Sequence, residues 1–298
     1  MSTYTMLLYS VVGSAGCLTN GLAIFVLFHL PNWTSTTNLL ILNQCIIDFL
    51  TSLLSLCLFL DPHLTTRLPE SHFLAKVVCK IWASKYLFWL SIYTSTANLV
   101  TLTFDRYFAV IYPIKYNILK GQTRMKILIL VIPWMCGCGV NLLWLSIQHV
   151  VDGVCIFTWP TDKYKHINGI VACVYIVVIP ICSMFFAYVS IFRGLRKVGD
   201  GSVVSESTAA RRMNIIKTLF TVSVVYVICV VPDQIAFTIT SSGGDLQYDS
   251  PVYDITLPLA LVNICINPII YTCKYNAFKV GMKKALPCLF KQGNITSV

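Results

Sequence analysis

Ionisable and amide side chains set inside long apolar runs are the residues of this sequence best placed to do chemistry. Asp48 stands in Leu42-Asn43-Gln44-Cys45-Ile46-Ile47-Asp48, and Asn20, Ser95, Asn98, Asn263 and Asn267 stand in other apolar runs. Such groups are costly in hydrocarbon and default to a functional role. A carboxylate with several oxygen-bearing neighbours can hold a small hard cation such as sodium. The alternative is a protonated Asp48 in a hydrogen-bond network that only packs the helices together. Spacing alone leaves both open. Asp105-Arg106-Tyr107 ends a further run, where the guanidinium can pair with its neighbouring carboxylate or be released toward a partner. Alone, the triplet means little, because basic residues are expected at such ends. The remaining reactive types do not assemble an enzyme. His29, His63, His72, His149 and His166 are scattered over run ends and loops rather than grouped as metal ligands. Most of the 13 Cys residues lie in apolar runs, where cysteine behaves as a small hydrophobe.

The elements that must hold these groups follow from the same runs. The 298 residues are 56% hydrophobic and 11% charged, with a mean hydropathy of +0.74; an average soluble domain is about 25% charged. Seven stretches reach the roughly 20 apolar residues that cross a bilayer, at 4–28, 38–60, 76–108, 125–148, 167–192, 215–240 and 252–273. Their length, and the lack of period-2 alternation, give helices rather than barrel strands. The expected fold is an all-α membrane protein, a seven-transmembrane helix bundle. Pro180, Pro232 and Pro268 interrupt the fifth, sixth and seventh helices, and each removes a backbone donor and bends its helix. Three bends in succession lean toward a bundle that moves.

Charge gives the orientation. With the N-terminus outside, most of the 22 Lys and Arg residues fall in the second and third inner loops and the tail, while Asp61, Glu70, Asp152, Asp162, Asp245, Asp249 and Asp254 fall outside. The net charge of +10 is therefore topology. It forms no single basic stripe with aromatic platforms, so no nucleic-acid partner is expected. The opening stretch 1–22 lacks the basic n-region of a signal peptide and reads as a retained first helix. One domain, 1–288, covers nearly everything, and 289–298 forms a short cytoplasmic tail. A transporter, the competing class, predicts repeated halves or paired broken helices; neither is found.

One motif per helix falls in order. These are Gly16…Asn20 in the first, Asp48 in the second, Asp105-Arg106-Tyr107 in the third, Trp134 in the fourth, and Pro180 with Tyr188 in the fifth. Cys229-Val230-Val231-Pro232 marks the sixth and Asn267-Pro268-Ile269-Ile270-Tyr271 the seventh. Each is weak alone; seven in register resemble the rhodopsin-like (class A) G-protein-coupled receptors along essentially the whole chain. The resemblance implies a multi-pass receptor of the plasma membrane that passes an extracellular ligand's signal to a heterotrimeric G protein as the sixth helix swings outward. It implies that Asp105, Arg106, Tyr107, Tyr188, Pro232, Asn267, Pro268 and Tyr271 carry coupling and switching. Asp48, Ser95, Asn263 and Asn267 would form an allosteric sodium pocket, with no other cofactor required. Cys79 and Cys155 would be disulfide-bonded, 274–286 with Phe278 would form a short amphipathic eighth helix, and Cys288 would be palmitoylated, adding a membrane-lipid anchor.

Departures from the family pattern are informative. Val230 replaces the usual Trp before the sixth-helix proline, Tyr226 replaces the usual Phe, and Arg212 stands where some members carry an acid facing Arg106. Raised basal activity is expected from a missing ionic lock. Cys79 lies two residues farther from Arg106 than is usual, which predicts a shift or bulge at the top of the third helix. By the resemblance, the ligand pocket is expected between Lys85, Phe88, Trp89 and Ile92 on the third helix, Asp233, Gln234 and Phe237 on the sixth, and Tyr253, Asp254 and Leu257 on the seventh. Phe88 occupies the place of the amine receptors' carboxylate, and Leu261 that of the opsins' retinal-linked Lys. A peptide is the favoured ligand and a small amphipathic molecule the next.

Overall fold

The computed structural model describes residues 3–30, 32–60, 68–199, 206–246 and 250–287. Helix α1 (Thr3–Phe28) is followed by α2 (Thr36–Leu60), whose start is fixed by Ser35, its hydroxyl accepting from the Asn38 N–H at 3.4 Å. The third crossing is built of α3 (His72–Val77), a π-helical turn over Val78–Ala83, and α4 (Tyr86–Ile111). A short α5 (Pro113–Lys120), with proline in its first turn, leads to α6 (Thr123–Ser146), the fourth crossing. The fifth joins α7 (Asp162–Cys173), a second π-helical turn (Val174–Val178) and α8 (Ile179–Gly199). The sixth is α9 (Glu206–Ser241), the seventh α10 (Pro251–Lys274), and α11 (Asn276–Ala285) follows it.

The bundle buries a set of polar groups within an apolar core and leaves many large apolar side chains exposed on its outer faces. Asn20, Gln44, Asp48, Ser95, Asn98, Asn263 and Asn267 are buried, while Leu7, Val11, Leu18, Phe185 and Ile255 on the outer faces are exposed. That distribution suits lipid, where apolar faces need no burial and polar groups must find partners inside. Six of the crossings are long and apolar enough to span a membrane by hydropathy. The seventh, α4, has the length but not the hydropathy, because it packs against α2, α6, α8 and α9 and carries the polar interior. Helix α11 is amphipathic, with Phe278 buried and Lys279, Lys283 and Lys284 exposed, and it packs against α1. Close approach of α1 and α2 depends on Gly16, since an added Cβ there would collide with Ser52.

Two elements lie outside the seven expected crossings and the eighth helix: α5, in the expected second inner loop, and a β-hairpin. Strands β1 (Gln148–Val151) and β2 (Val154–Phe157) pair antiparallel through a two-residue turn, Asp152-Gly153, both at positive φ (50° and 75°). Asp-Gly between apolar runs is a strong hairpin signal. Cys155 on β2 is disulfide-bonded to Cys79 in the first π-helical turn. That turn and the left-handed Lys85 (φ 57°) absorb the two extra residues between Cys79 and Arg106. The predicted bulge is there.

Candidate functional site

Three polar clusters lie along α4. Midway, the Asp48 Oδ1 accepts from Gln44 Nε2 (2.9 Å) and Ser95 Oγ (3.0 Å), and its Oδ2 accepts from Asn267 Nδ2 (3.0 Å). Gln44 also donates to Ser95 Oγ at 2.5 Å and accepts from Asn98 Nδ2 at 2.8 Å. Asn43 donates to Asn98 Oδ1 (2.8 Å) and accepts from the Trp134 indole (3.2 Å). The network thus ties α2, α4, α6 and α10 together. Among the described residues, the buried oxygens of Asn20, Asn263 and Asn267 have no hydrogen-bond partner. Asn267 contacts Asp48 directly, and an unmatched amide oxygen on a residue bonded to a carboxylate is a ligand suited to a hard cation or to water.

The kink prolines explain two further contacts. Pro180 has no N–H to offer the carbonyl four residues back, Ile176, and the Tyr226 hydroxyl takes that carbonyl at 2.7 Å. Pro268 likewise frees the carbonyl of Ile264, which the Asn20 amide takes at 3.2 Å. Neighbouring helices satisfy what proline leaves open. Tyr226 is also 3.1 Å from Thr96 Oγ1, so one phenol joins α9 to α4 and to the second π-helical turn.

At the Arg106 end, Arg106 is ion-paired with Asp105. Asp105 also accepts from Thr37 Oγ1 (3.0 Å) and from the Tyr116 hydroxyl (2.8 Å), and Arg106 donates to Tyr116 at 3.2 Å. Burial, and next the charge of Asp105, raise the Tyr116 phenol above its ordinary range, so it stays protonated and donates at neutral pH. Tyr188 on α8 lies 3.0 Å from Ser223 Oγ on α9. Tyr107 packs its ring against Phe186, and Tyr271 is fully buried, its hydroxyl without a partner among the described residues. The guanidinium is held, and α9 is tied to α8. The arrangement is a closed one.

At the hairpin end a cavity of about 660 Å³ opens between α4, α6, α9 and α10. Lys85, Trp89, Ile92, Asp233, Gln234, Phe237, Tyr253, Asp254 and Leu257 all line it. Phe88 does not: it is 0% exposed and packs with Tyr9, Leu58, Leu261 and Ile264. A one-residue step along a helix turns the side chain by about 100°, and Trp89 takes the facing position instead. Asp233 accepts from Thr256 Oγ1 at 2.9 Å, and Tyr253 lies 2.9 Å from Thr240 Oγ1. Trp144 and Phe157, which no sequence motif marks, also line the cavity, Trp144 stacked on Trp89 with centroids 6.1 Å apart. Ser95, Tyr226, Val230 and Asn263 floor the cavity, so it reaches down to the Asp48 network. Gln44, Tyr116 and the Tyr226 hydroxyl also went unassigned in sequence. The side chain of Arg212, and all of Cys288 and the tail 289–298, lie outside the described residues.

Comparison with known proteins agrees with this geometry. The family described as 7 transmembrane receptor (rhodopsin family) matches residues 19–271. Galanin receptor 2b of Danio rerio is 26% identical over 98% of this chain and 77% of its own length. The allatostatin-A receptor of Bombyx mori is 24% identical over 97% and 81%. The tachykinin-like peptides receptor 86C of Drosophila melanogaster is 24% identical over 90% and 56%.

Proposed function

The chain belongs to the rhodopsin family of seven-transmembrane receptors, and we propose that it couples a peptide bound at the hairpin end to a heterotrimeric G protein at the Arg106 end. It is a multi-pass membrane receptor of signalling type; peptide, G protein, plasma membrane and orientation are the proposal. The observation that carries it is one continuous path. An open cavity with mixed charge (Lys85, Asp233, Asp254) rests on the Asp48 network, which leads to an arginine held by Asp105 and Tyr116. Relatives named for galanin, allatostatin-A and tachykinin-like peptides favour a peptide. Binding that favours an arrangement with Arg106 released shifts the population toward it, and a G protein that engages Arg106 shifts it the same way.

Sodium fits the Asp48 network as an allosteric ligand of the closed state. Asp48, Ser95, Asn263 and Asn267 would hold it, with Asn263 Oδ1 and Asn267 Oδ1 supplying oxygens now unmatched, and Ser95 and Asn263 also face the cavity. A bound cation would neutralise Asp48 and add links between α2, α4 and α10. Palmitoylation of Cys288 would fix the end of α11 to the inner leaflet.

The test is a peptide-library screen on cells expressing the chain, read by G-protein dissociation. Asp233→Asn should lower the potency of any agonist found, and full potency would remove Asp233 from the ligand contact. A tag fused after Val298 that is reached by antibody on intact cells would invert the orientation.

A further inference from the structure

A second cavity, of about 670 Å³, lies on the side of the bundle near Arg106, between α2, α4, α5 and α6. Its walls are apolar: Leu40, Val100, Phe104, Phe108, Ile129 and Ile132 among others. Phe108 and Ile132 are 48% and 40% exposed, so the groove opens sideways, in the direction the bundle offers to lipid tails. Its rim is basic. Lys115 and Lys120 on α5 and Lys126 on α6 line one edge, and the one acid in the lining, Asp105, is already answered by Arg106. An apolar slot with a cationic edge at helix-end depth matches an acyl chain carrying an anionic headgroup, as basic clusters beside membrane helices do.

We propose that this groove binds an anionic phospholipid, its tail between α4 and α6 and its headgroup on Lys115 and Lys120. The site is distinct from the ligand cavity and adjoins the coupling residues, because Asp105 and Tyr116 form part of its wall. A bound tail therefore packs against the two groups that hold Arg106, and lipid composition becomes an input to the closed state. The cytoplasmic reading of the Arg106 end decides only which leaflet supplies the lipid; symmetric vesicles make the test independent of it.

The full chain is reconstituted in phosphatidylcholine vesicles doped with photoreactive phosphatidylserine or, in parallel, photoreactive phosphatidylcholine. Crosslinked peptides are mapped by mass spectrometry. Phosphatidylserine should label the peptides that bear Phe104, Phe108 and Ile129 well above phosphatidylcholine. Lys115→Gln and Lys120→Gln should each weaken that labelling about fivefold, and roughly 25-fold together. Val100→Trp, which fills the slot and leaves the lysines, should remove groove labelling while labelling of α1 persists. Equal labelling by the two lipids, or a double lysine variant labelled like the parent, overturns the proposal; these surface variants keep it testable even if Val100→Trp fails to fold.

Discussion

Removing one hydroxyl should loosen the closed bundle. Tyr226→Phe deletes the contacts to Ile176 O (2.7 Å) and Thr96 Oγ1 (3.1 Å) and keeps the ring, which is 3% exposed. Thr96 keeps a partner in its own helix, the Ile92 carbonyl at 3.2 Å. Ile176 is worse off, because Pro180 has no N–H to give it. Leaving a buried acceptor unmet costs about 1–3 kcal/mol, whereas interhelical hydrogen bonds in membranes average nearer 0.6 kcal/mol. Two bonds at the lower figure give about 1.2 kcal/mol, and the orphaned carbonyl pushes toward the higher range. If the bonds exist only in the closed state, the open fraction rises about 7-fold or more. The assay is ligand-independent nucleotide exchange on a G protein by the purified, reconstituted chain, normalised to receptor amount. An unchanged or lower basal rate from a well-folded Tyr226→Phe protein would refute the reasoning.

Other perturbations follow from the same contacts. Gln44→Leu removes the amide that already donates to Asp48, so sodium chloride against choline chloride should raise Tm more in this variant than in the parent, and Asp48→Asn should abolish the difference. Cys79→Ser opens a disulfide spanning 76 residues, worth up to about 4.5 kcal/mol by loop entropy; a lower Tm and less protein at the cell surface are expected, measured by thermal shift and by antibody to an N-terminal tag. Gly137→Ala pushes a methyl toward the backbone of α4, 2.9 Å from Thr94 N and 3.2 Å from Leu90 O. Backbone cannot yield as a side chain can, so a loss of about 1–3 kcal/mol should appear as a Tm lowered by a few degrees.

The sequence made the bundle legible because hydrocarbon imposes one length and one backbone solution. All seven runs became crossings, and even the two-residue excess before Arg106 announced a bulge, realised as a π-helical turn and a left-handed Lys85. Side-chain pairing was less legible. Nothing in one-dimensional spacing says that Pro180 and Tyr226, 46 positions apart, serve the same carbonyl. Gln44 looked like part of a motif's filler, yet its i, i+4 spacing to Asp48 puts both on one helix face. Of the neighbouring pair expected in the pocket, Trp89 lines the cavity while Phe88 packs with Tyr9, Leu58, Leu261 and Ile264. The hairpin's signal, Asp152-Gly153 between short apolar runs, is local and weak beside the length of the seven helices.

The claim on which the rest depends is that α9 moves away from the bundle when Arg106 is released. Site-specific spin labels at Arg124 on α6 and Lys217 on α9, both exposed, report that movement directly. Adding a nucleotide-free heterotrimeric G protein to the reconstituted chain should populate a longer label-to-label distance, and Arg106→Ala should suppress it. A distance distribution that stays fixed while the G protein binds and exchanges nucleotide would contradict the account.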